Sequence, residues 1–295
     1  MPRRRNRSET PSLLTETRRL LRRYGLHARK GLGQHFLIDR DVLGLVVEAA
    51  GLTVSDIVIE VGPGLGVLTR ELAGQAGRVV AVELDDWLAA ALKEGLSLLH
   101  NVTVVNGDIL KLDPTILLEE SGSQGKYKVV ANLPYYITSP VLRHFLEASV
   151  RPQSMVVMVQ KEVAETITAR PGRMSLLSVS VQFYGEPVII GHVPAESFYP
   201  EPEVDSAVLR IDVYPEPRVA VGDVDGFFGL VRAGFSAARK QLVNSLARGL
   251  ELSRDEVLSL LEKAGIQPQR RAETLSLEEW AGLWAIFSEG MEAKC

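Results

Sequence analysis

Cysteine is almost missing from this chain: of 295 residues only Cys295 is one, and it is the last. A single thiol permits no internal disulfide and no metal site built on thiolates, and it suits a reducing compartment. Long hydrophobic runs are missing too. No apolar stretch approaches the roughly 20 residues that cross a bilayer, and the basic N-terminus is not followed by a signal-peptide core. An Arg-rich start poor in acids is also what a transit peptide has; the expected location is the cytoplasm, with no membrane contact. Internal repeats and long low-complexity tracts are absent as well.

An excess of positive charge is lacking overall, since 33 Lys and Arg face 37 Asp and Glu, a net of -4. The distribution tells more than the sum. Residues 1–30 hold Arg3, Arg4, Arg5, Arg7, Arg18, Arg19, Arg22, Arg23, Arg29 and Lys30 against Glu9 and Glu16, so this stretch is +8 and the remainder -12. That is a basic arm on an acidic body. On a helical wheel Leu13, Leu14, Leu20, Leu21 and Tyr24 fall on one side and Arg18, Arg19, Arg22 and Arg23 on the other. One face can dock, while the other can meet phosphate or stay a solvated charge face. A second basic stretch, residues 226–250, holds Arg232, Arg239, Lys240 and Arg248 and no acid. With the arm it could form two sides of an RNA groove, in which phosphate contacts orient the nucleic acid without choosing a base.

A chain of this length suits about two domains. Short β-branched runs at 57–61, 78–82, 102–105 and 128–131 alternate with helical patterns, which implies a parallel sheet with helices on both faces. A fifth run, 155–159, follows a helix that Ser139 is expected to cap, and further strands are expected near 181–190 and 207–213. The pattern predicts a seven-stranded, mostly parallel α/β domain. Beyond Tyr214-Pro215-Glu216-Pro217 the strand signals cease. Ser253 with Glu256, and Ser276 with Glu279, have the spacing of capping boxes, and Gly265 is placed to stop the first of those helices. The expected organisation is a basic arm over 1–30, an α/β domain over 31–217 and a small all-α, RNA-binding domain over 218–295.

Glu60-Val61-Gly62-Pro63-Gly64-Leu65-Gly66 follows a predicted strand and opens a predicted helix, so its backbone can turn sharply and approach a ligand. A dinucleotide oxidoreductase shares such a turn, but Val67 stands where its fingerprint wants a third glycine. Glu83 ends the next strand, 21 positions beyond Gly62, where a carboxylate can accept both ribose hydroxyls. Asp108 follows the third strand, where a carboxylate can accept from an adenine amine. Each acid alone is an ordinary strand-end residue; in register at successive strand ends they form a pocket. The order resembles that of Rossmann-like class I methyltransferases using S-adenosylmethionine, and that resemblance puts Glu60 near the methionine end of the cofactor.

The fourth strand delivers Asn132-Leu133-Pro134-Tyr135 to the same sheet edge. An adenine amine is a poor nucleophile because its lone pair is delocalised into the ring. Two acceptors aimed at its two protons would bias it toward tetrahedral geometry as a methyl group transfers. The Asn132 side-chain oxygen and a backbone carbonyl, best that of Leu133 with Pro134 fixing the turn, can be those acceptors. Tyr135 offers a ring on which a base can stack. Taken in isolation, the same four residues could be a strand-ending turn with core tyrosines.

Gly33-Gln34-His35-Phe36-Leu37, the glycine turn, Glu83, Asp108 and Asn132-Leu133-Pro134-Tyr135 together resemble the ribosomal RNA adenine N6-dimethyltransferases, over roughly residues 27–290. The segments from His192 to Ala207 and from Phe235 to Asn244 are similar to the KsgA-type small-subunit enzymes more than to the resistance methyltransferases of large-subunit RNA. The resemblance implies that S-adenosylmethionine meets His35, Leu37, Gly62, Gly64, Glu83, Asp108 and Asn132, and that Phe198 is a second aromatic near the target base. It implies dimethylation at N6 of two adjacent adenines near the 3′ end of 16S rRNA, in the small ribosomal subunit or its precursor; nothing in the sequence demands more than a monomer, which is the expected state. The alternatives are a large-subunit adenine, or an RNA-binding assembly or transcription factor on the same fold. Two positions depart from the family: His35 stands where Asn is common, which leaves a cofactor contact through the backbone, and Ala238-Arg239-Lys240 stands where an Arg pair precedes Lys.

Overall fold

A computed structural model describes residues 11–29, 31, 33–119, 126–237 and 239–292. Arg3, Arg4, Arg5, Arg7, Glu9, Lys30, Ala238 and Cys295 lie outside the described residues. Helix α1 (Leu13–Arg23) starts at Ser12, whose hydroxyl accepts the Thr15 N–H at 3.3 Å, and it buries Leu13, Thr17 and Leu21. Arg18, Arg19, Arg22 and Arg23 are exposed, the two-faced division read from the wheel.

The chain continues as β1 (Phe36–Leu37), α2 (Arg40–Ala50), β2 (Ile57–Val61), α3 (Val67–Gln75), β3 (Arg78–Glu83), α4 (Asp86–Gly95), β4 (Val102–Asn106), α5 (Pro114–Glu119), β5 (Lys128–Asn132), α6 (Thr138–Leu146) and β6 (Ser154–Gln160). Then come α7 (Lys161–Ile167), α8 (Leu176–Tyr184), β7 (Gly185–Val193), β8 (Phe198–Tyr199) and β9 (Ser206–Val213). Helices α9 (Val224–Phe235), α10 (Leu242–Gly249), α11 (Arg254–Lys263) and α12 (Leu277–Glu292) close the described chain.

Seven strands form one sheet in the order β4-β3-β2-β5-β6-β9-β7. The pairings from β4 through β6 are parallel. Val58, Ile59, Val79, Val80, Val129, Val130 and Val156 in these strands are buried, as side chains of a parallel sheet covered on both faces must be. The strand order reverses at β2, with β3 and β4 on one side and β5 and β6 on the other. Such a reversal opens a crevice beyond the carboxyl ends of the strands. Separately, β1 and β8 pair antiparallel, with Phe36 opposite Tyr199 and Leu37 opposite Phe198.

Two local expectations are corrected. Residues 181–184 belong to α8, and the strand begins only at Gly185. Ser175 and Ser178 cap this helix reciprocally, and so short a segment of β-branched, polar and aromatic side chains fits a strand or a helix equally well. Ser139 lies inside α6 rather than at its cap, because the 3-10 turn Tyr135–Ile137 runs directly into the helix. The capping boxes do form: the Glu256 N–H donates to Ser253 Oγ at 3.2 Å and the Glu279 N–H to Ser276 Oγ at 3.2 Å. Gly265, at φ +67°, follows the end of α11.

Two compact units divide the chain, one comprising Met1–Lys161 with Ile190–Arg210 and the other Glu162–Ile189 with Ile211–Cys295. The first holds β1 to β6, β8 and the crevice. The second holds α7 to α12, with Phe183 of α8 stacked on Phe227 of α9 at 5.3 Å between ring centres. Among the described residues no helix is long and apolar enough to cross a membrane.

Candidate active site

The glycine turn is built by sequence necessity. Gly62, Gly64 and Gly66 adopt φ of +65°, +57° and +78°, which side chains with a Cβ rarely take. A Cβ on Gly64 would also lie 3.1 Å from the Phe36 ring. The turn therefore leaves its backbone bare along one wall of a cavity of about 320 Å³.

Glu83, at the end of β3, braces that wall. Its Oε2 accepts the Gly64 N–H and its Oε1 the Asp85 N–H, both at 3.0 Å. Burial raises its pKa, and the amides of Asp85 and Gly64 counter the rise. Asp85 in turn caps α4 through the Trp87 and Leu88 amides and pairs with Arg29 at 3.0 Å. Through Asp85 the segment before β1 is tied to the same strand end, since Gln34 Oε1 also accepts the Arg29 N–H at 2.9 Å.

Glu60, in β2 below the turn, is 1% exposed and its Oε2 has no hydrogen-bond partner. Burial pushes its pKa up to about 8; the Thr69 side chain beside it counters the rise, and the nearby Glu83 charge adds to it. A buried carboxyl oxygen without a hydrogen-bond partner, on a residue that lines a cavity, is a site for a donor. Asp108 follows β4, where its Oδ1 accepts the Leu110 N–H at 3.1 Å and its Oδ2 lies 3.7 Å from Lys111 Nζ.

Asn132 ends β5. Its Nδ2 donates to the His35 main-chain carbonyl at 2.9 Å. A carbonyl only accepts, so the nitrogen must face His35 and Oδ1 must be the free end. In the turn that follows, the Leu133 N–H donates to the Met158 carbonyl at 3.2 Å and the Pro134 carbonyl accepts from Ile137 at 3.1 Å. The Leu133 carbonyl takes part in neither bond. The Tyr135 hydroxyl shares a 2.7 Å hydrogen bond with Ser206 Oγ, and its ring stacks against His35 with centres 5.8 Å apart and planes 21° apart.

His35, Leu37, Glu60, Gly62, Gly64, Glu83, Asp108, Asn132, Leu133, Pro134 and Tyr135 all line this one cavity. Phe198 does not. It is 2% exposed and packs in the apolar core with Leu37, Val42 and Val193, because a phenyl ring on a strand paired with Leu37 is drawn into that core. Sequence reading missed Gln34, Phe36 and Tyr136 in the lining. Tyr136 is 54% exposed at the cavity, and the doubled tyrosine after Pro134 was its only signal. Arg22, Arg23, Arg232, Arg239, Lys240 and Arg248 are all exposed, Arg23 in an ion pair with Glu94 at 2.8 Å. Arg239 and Lys240 occupy the turn that leads into α10.

Known proteins match over most of this length. A family model described as "Ribosomal RNA adenine dimethylase" matches residues 25–289. A Dehalococcoides mccartyi protein named "Ribosomal RNA small subunit methyltransferase A" is 53% identical over 281 residues, 95% of each chain. A protein of the same name from Pelotomaculum thermopropionicum is 48% identical over 279 residues, 92% of this chain and 95% of that one. Among solved structures, the 23S rRNA methyltransferase ErmE has a TM-score of 0.68 at 31% identity, over 86% of this chain and 99% of that one. A dimethyladenosine transferase from Plasmodium falciparum has a TM-score of 0.72 at 24% identity over 86% and 98%, a likeness of fold.

Proposed function

Because the chain belongs to the ribosomal RNA adenine dimethylase family, we propose that it uses S-adenosylmethionine to dimethylate N6 of two adjacent adenines in the 3′-terminal hairpin of 16S rRNA, as a step of small-subunit biogenesis. The observation that carries the chemistry is the bond from Asn132 Nδ2 to the His35 carbonyl, which leaves Oδ1 as the free end of the amide. The substrate rests on the relatives named for the small subunit at 53% and 48% identity.

The residues present suit that cofactor. The unpartnered Oε2 of Glu60 matches an ammonium group, both Glu83 oxygens keep a lone pair for ribose hydroxyls, and Asp108 Oδ2 can accept from an adenine amine. Gly62 and Gly64 let the backbone come close, and His35 and Leu37 form the edge. When bound, the cofactor supplies an electrophilic methyl group.

This chain's own groups then act on the target base. Asn132 Oδ1 and the Leu133 carbonyl accept hydrogen bonds from the N–H groups the amine carries, two before the first transfer and one before the second, and draw the nitrogen toward tetrahedral geometry; the proton leaves to solvent after the methyl group has arrived. Extruding a base costs a few kcal/mol, and stacking on Tyr135, worth about 1–3 kcal/mol, offsets it. With Phe198 in the core, Tyr135 carries this stacking. Residues 31–217 serve cofactor and transfer, and residues 218–295 serve RNA, with Arg22, Arg23, Arg232, Arg239, Lys240 and Arg248 on phosphates. The protein works as a monomer in the cytoplasm on the small subunit or its precursor.

Mass spectrometry of small-subunit RNA from a deletion strain, before and after supplying enzyme and S-adenosylmethionine, tests the proposal. Two adjacent dimethyladenines should appear in the 3′-terminal hairpin. The likeness to ErmE at 31% identity favours a second reading, a large-subunit adenine, and methylation confined to that subunit would replace the first.

A further inference from the structure

His35 touches both working side chains of the catalytic turn, through different atoms. Its main-chain carbonyl takes the Asn132 amide at 2.9 Å. Its imidazole stacks on Tyr135. The ring is itself tethered, for Nδ1 lies 2.6 Å from the Pro200 carbonyl, and because a carbonyl only accepts, Nδ1 carries the proton. Tyr135 is held at its other end by Ser206. The tether of His35 continues the pairing of β1 with β8, which sets Phe36 opposite Tyr199 in the adjoining residues.

We propose that the His35 side chain is a positioning residue for methyl transfer: it fills one face of the Tyr135 ring and so fixes the ring plane and the face left for the target base. The role rests on the reading of Tyr135 as the stacking platform. Ring centres 5.8 Å apart leave no room for a base between the two rings, so the base must use the opposite face. An Asn at this position, common in the family, has no ring to stack, so this support belongs to chains with an aromatic side chain here. Any cofactor contact made through the His35 backbone survives a side-chain change, which separates positioning from cofactor binding.

The test uses the full-length enzyme with small-subunit substrate, in His35→Ala, His35→Phe, Tyr135→Ala and the His35→Ala/Tyr135→Ala double variant. Loss of one aromatic pair should lower the transfer rate of His35→Ala about five- to tenfold, with S-adenosylmethionine affinity within about threefold by titration calorimetry. His35→Phe keeps the stack without the tether and should recover most of the rate. The double variant should be no slower than Tyr135→Ala alone, since His35 acts through that ring. A hairpin with 2-aminopurine at the target position should show altered emission in complex with His35→Ala and near wild-type emission with His35→Phe. Multiplying losses in the double variant, or a His35→Phe rate no better than that of His35→Ala, would overturn the role of His35 and leave the stacking reading standing. Full turnover in Tyr135→Ala would overturn the stacking reading and the proposal with it.

Discussion

The Glu83 carboxylate accepts the backbone N–H of Gly64 at 3.0 Å, so an acid at the end of one strand holds the turn that follows the neighbouring strand. Replacing it with Gln puts an NH₂ group where one of two oxygens now faces an amide N–H. Loss of one charge-assisted hydrogen bond lowers S-adenosylmethionine affinity of Glu83→Gln by about 10- to 100-fold. Glu83→Ala strands the buried Asp85 amide and leaves the part-buried Gly64 amide without its acceptor, which costs about 1–3 kcal/mol of stability. Calorimetric titration and urea unfolding measure the two effects.

Glu60 gives a pH signature. Its pKa, near 4.5 ordinarily, is about 8 in the folded protein. The folded chain therefore holds a proton that the unfolded chain releases, and the stabilisation, present in full below about 4.5, is lost as pH rises through about 8. The shift corresponds to an upper bound of about 5 kcal/mol. Glu60→Gln should flatten this slope in thermal unfolding of the cofactor-free protein between pH 5 and 9. An ammonium placed beside Glu60 should also pull its pKa down, so cofactor binding at pH 7 should release protons. Calorimetry in two buffers of different ionisation enthalpy reads that release, and Glu60→Gln should abolish it.

Arg239 and Lys240 are exposed in the turn before α10, in the acid-free basic stretch. If they meet phosphates, the Arg239→Ala/Lys240→Ala variant binds RNA more weakly and its log–log salt slope flattens by about 1–2, as lost counterion release requires. Affinity measured across a salt series decides it; an unchanged slope removes the pair from the RNA surface.

Much of the scaffold was legible because period and strand-end chemistry carry it. The run Ile57–Val61 was located at its observed bounds, and Glu83, Asp108 and Asn132 were read at successive strand ends where they now line one cavity. The segment Val181-Gln182-Phe183-Tyr184 alternates as a strand does and carries β-branched and aromatic side chains, yet the cap at Ser175 starts a helix that runs through Tyr184. Phe198 illustrates another limit. Its residue type fits a stacking platform, but its two-residue pairing with β1, invisible in so short a strand, takes the ring into the core. The hydrogen bonds from His35 to Asn132 and Pro200 and its ring stack on Tyr135 join positions 97, 165 and 100 residues apart, which no local pattern reveals.

The central claim is that Asn132 acts on the target amine rather than on the cofactor alone. Single-turnover methyl transfer by Asn132→Ala, measured beside its S-adenosylmethionine affinity, tests it most directly. Affinity should stay within about tenfold while the transfer rate falls about 100-fold or more, as loss of a group used in the transition state produces. Wild-type turnover in Asn132→Ala would contradict the account.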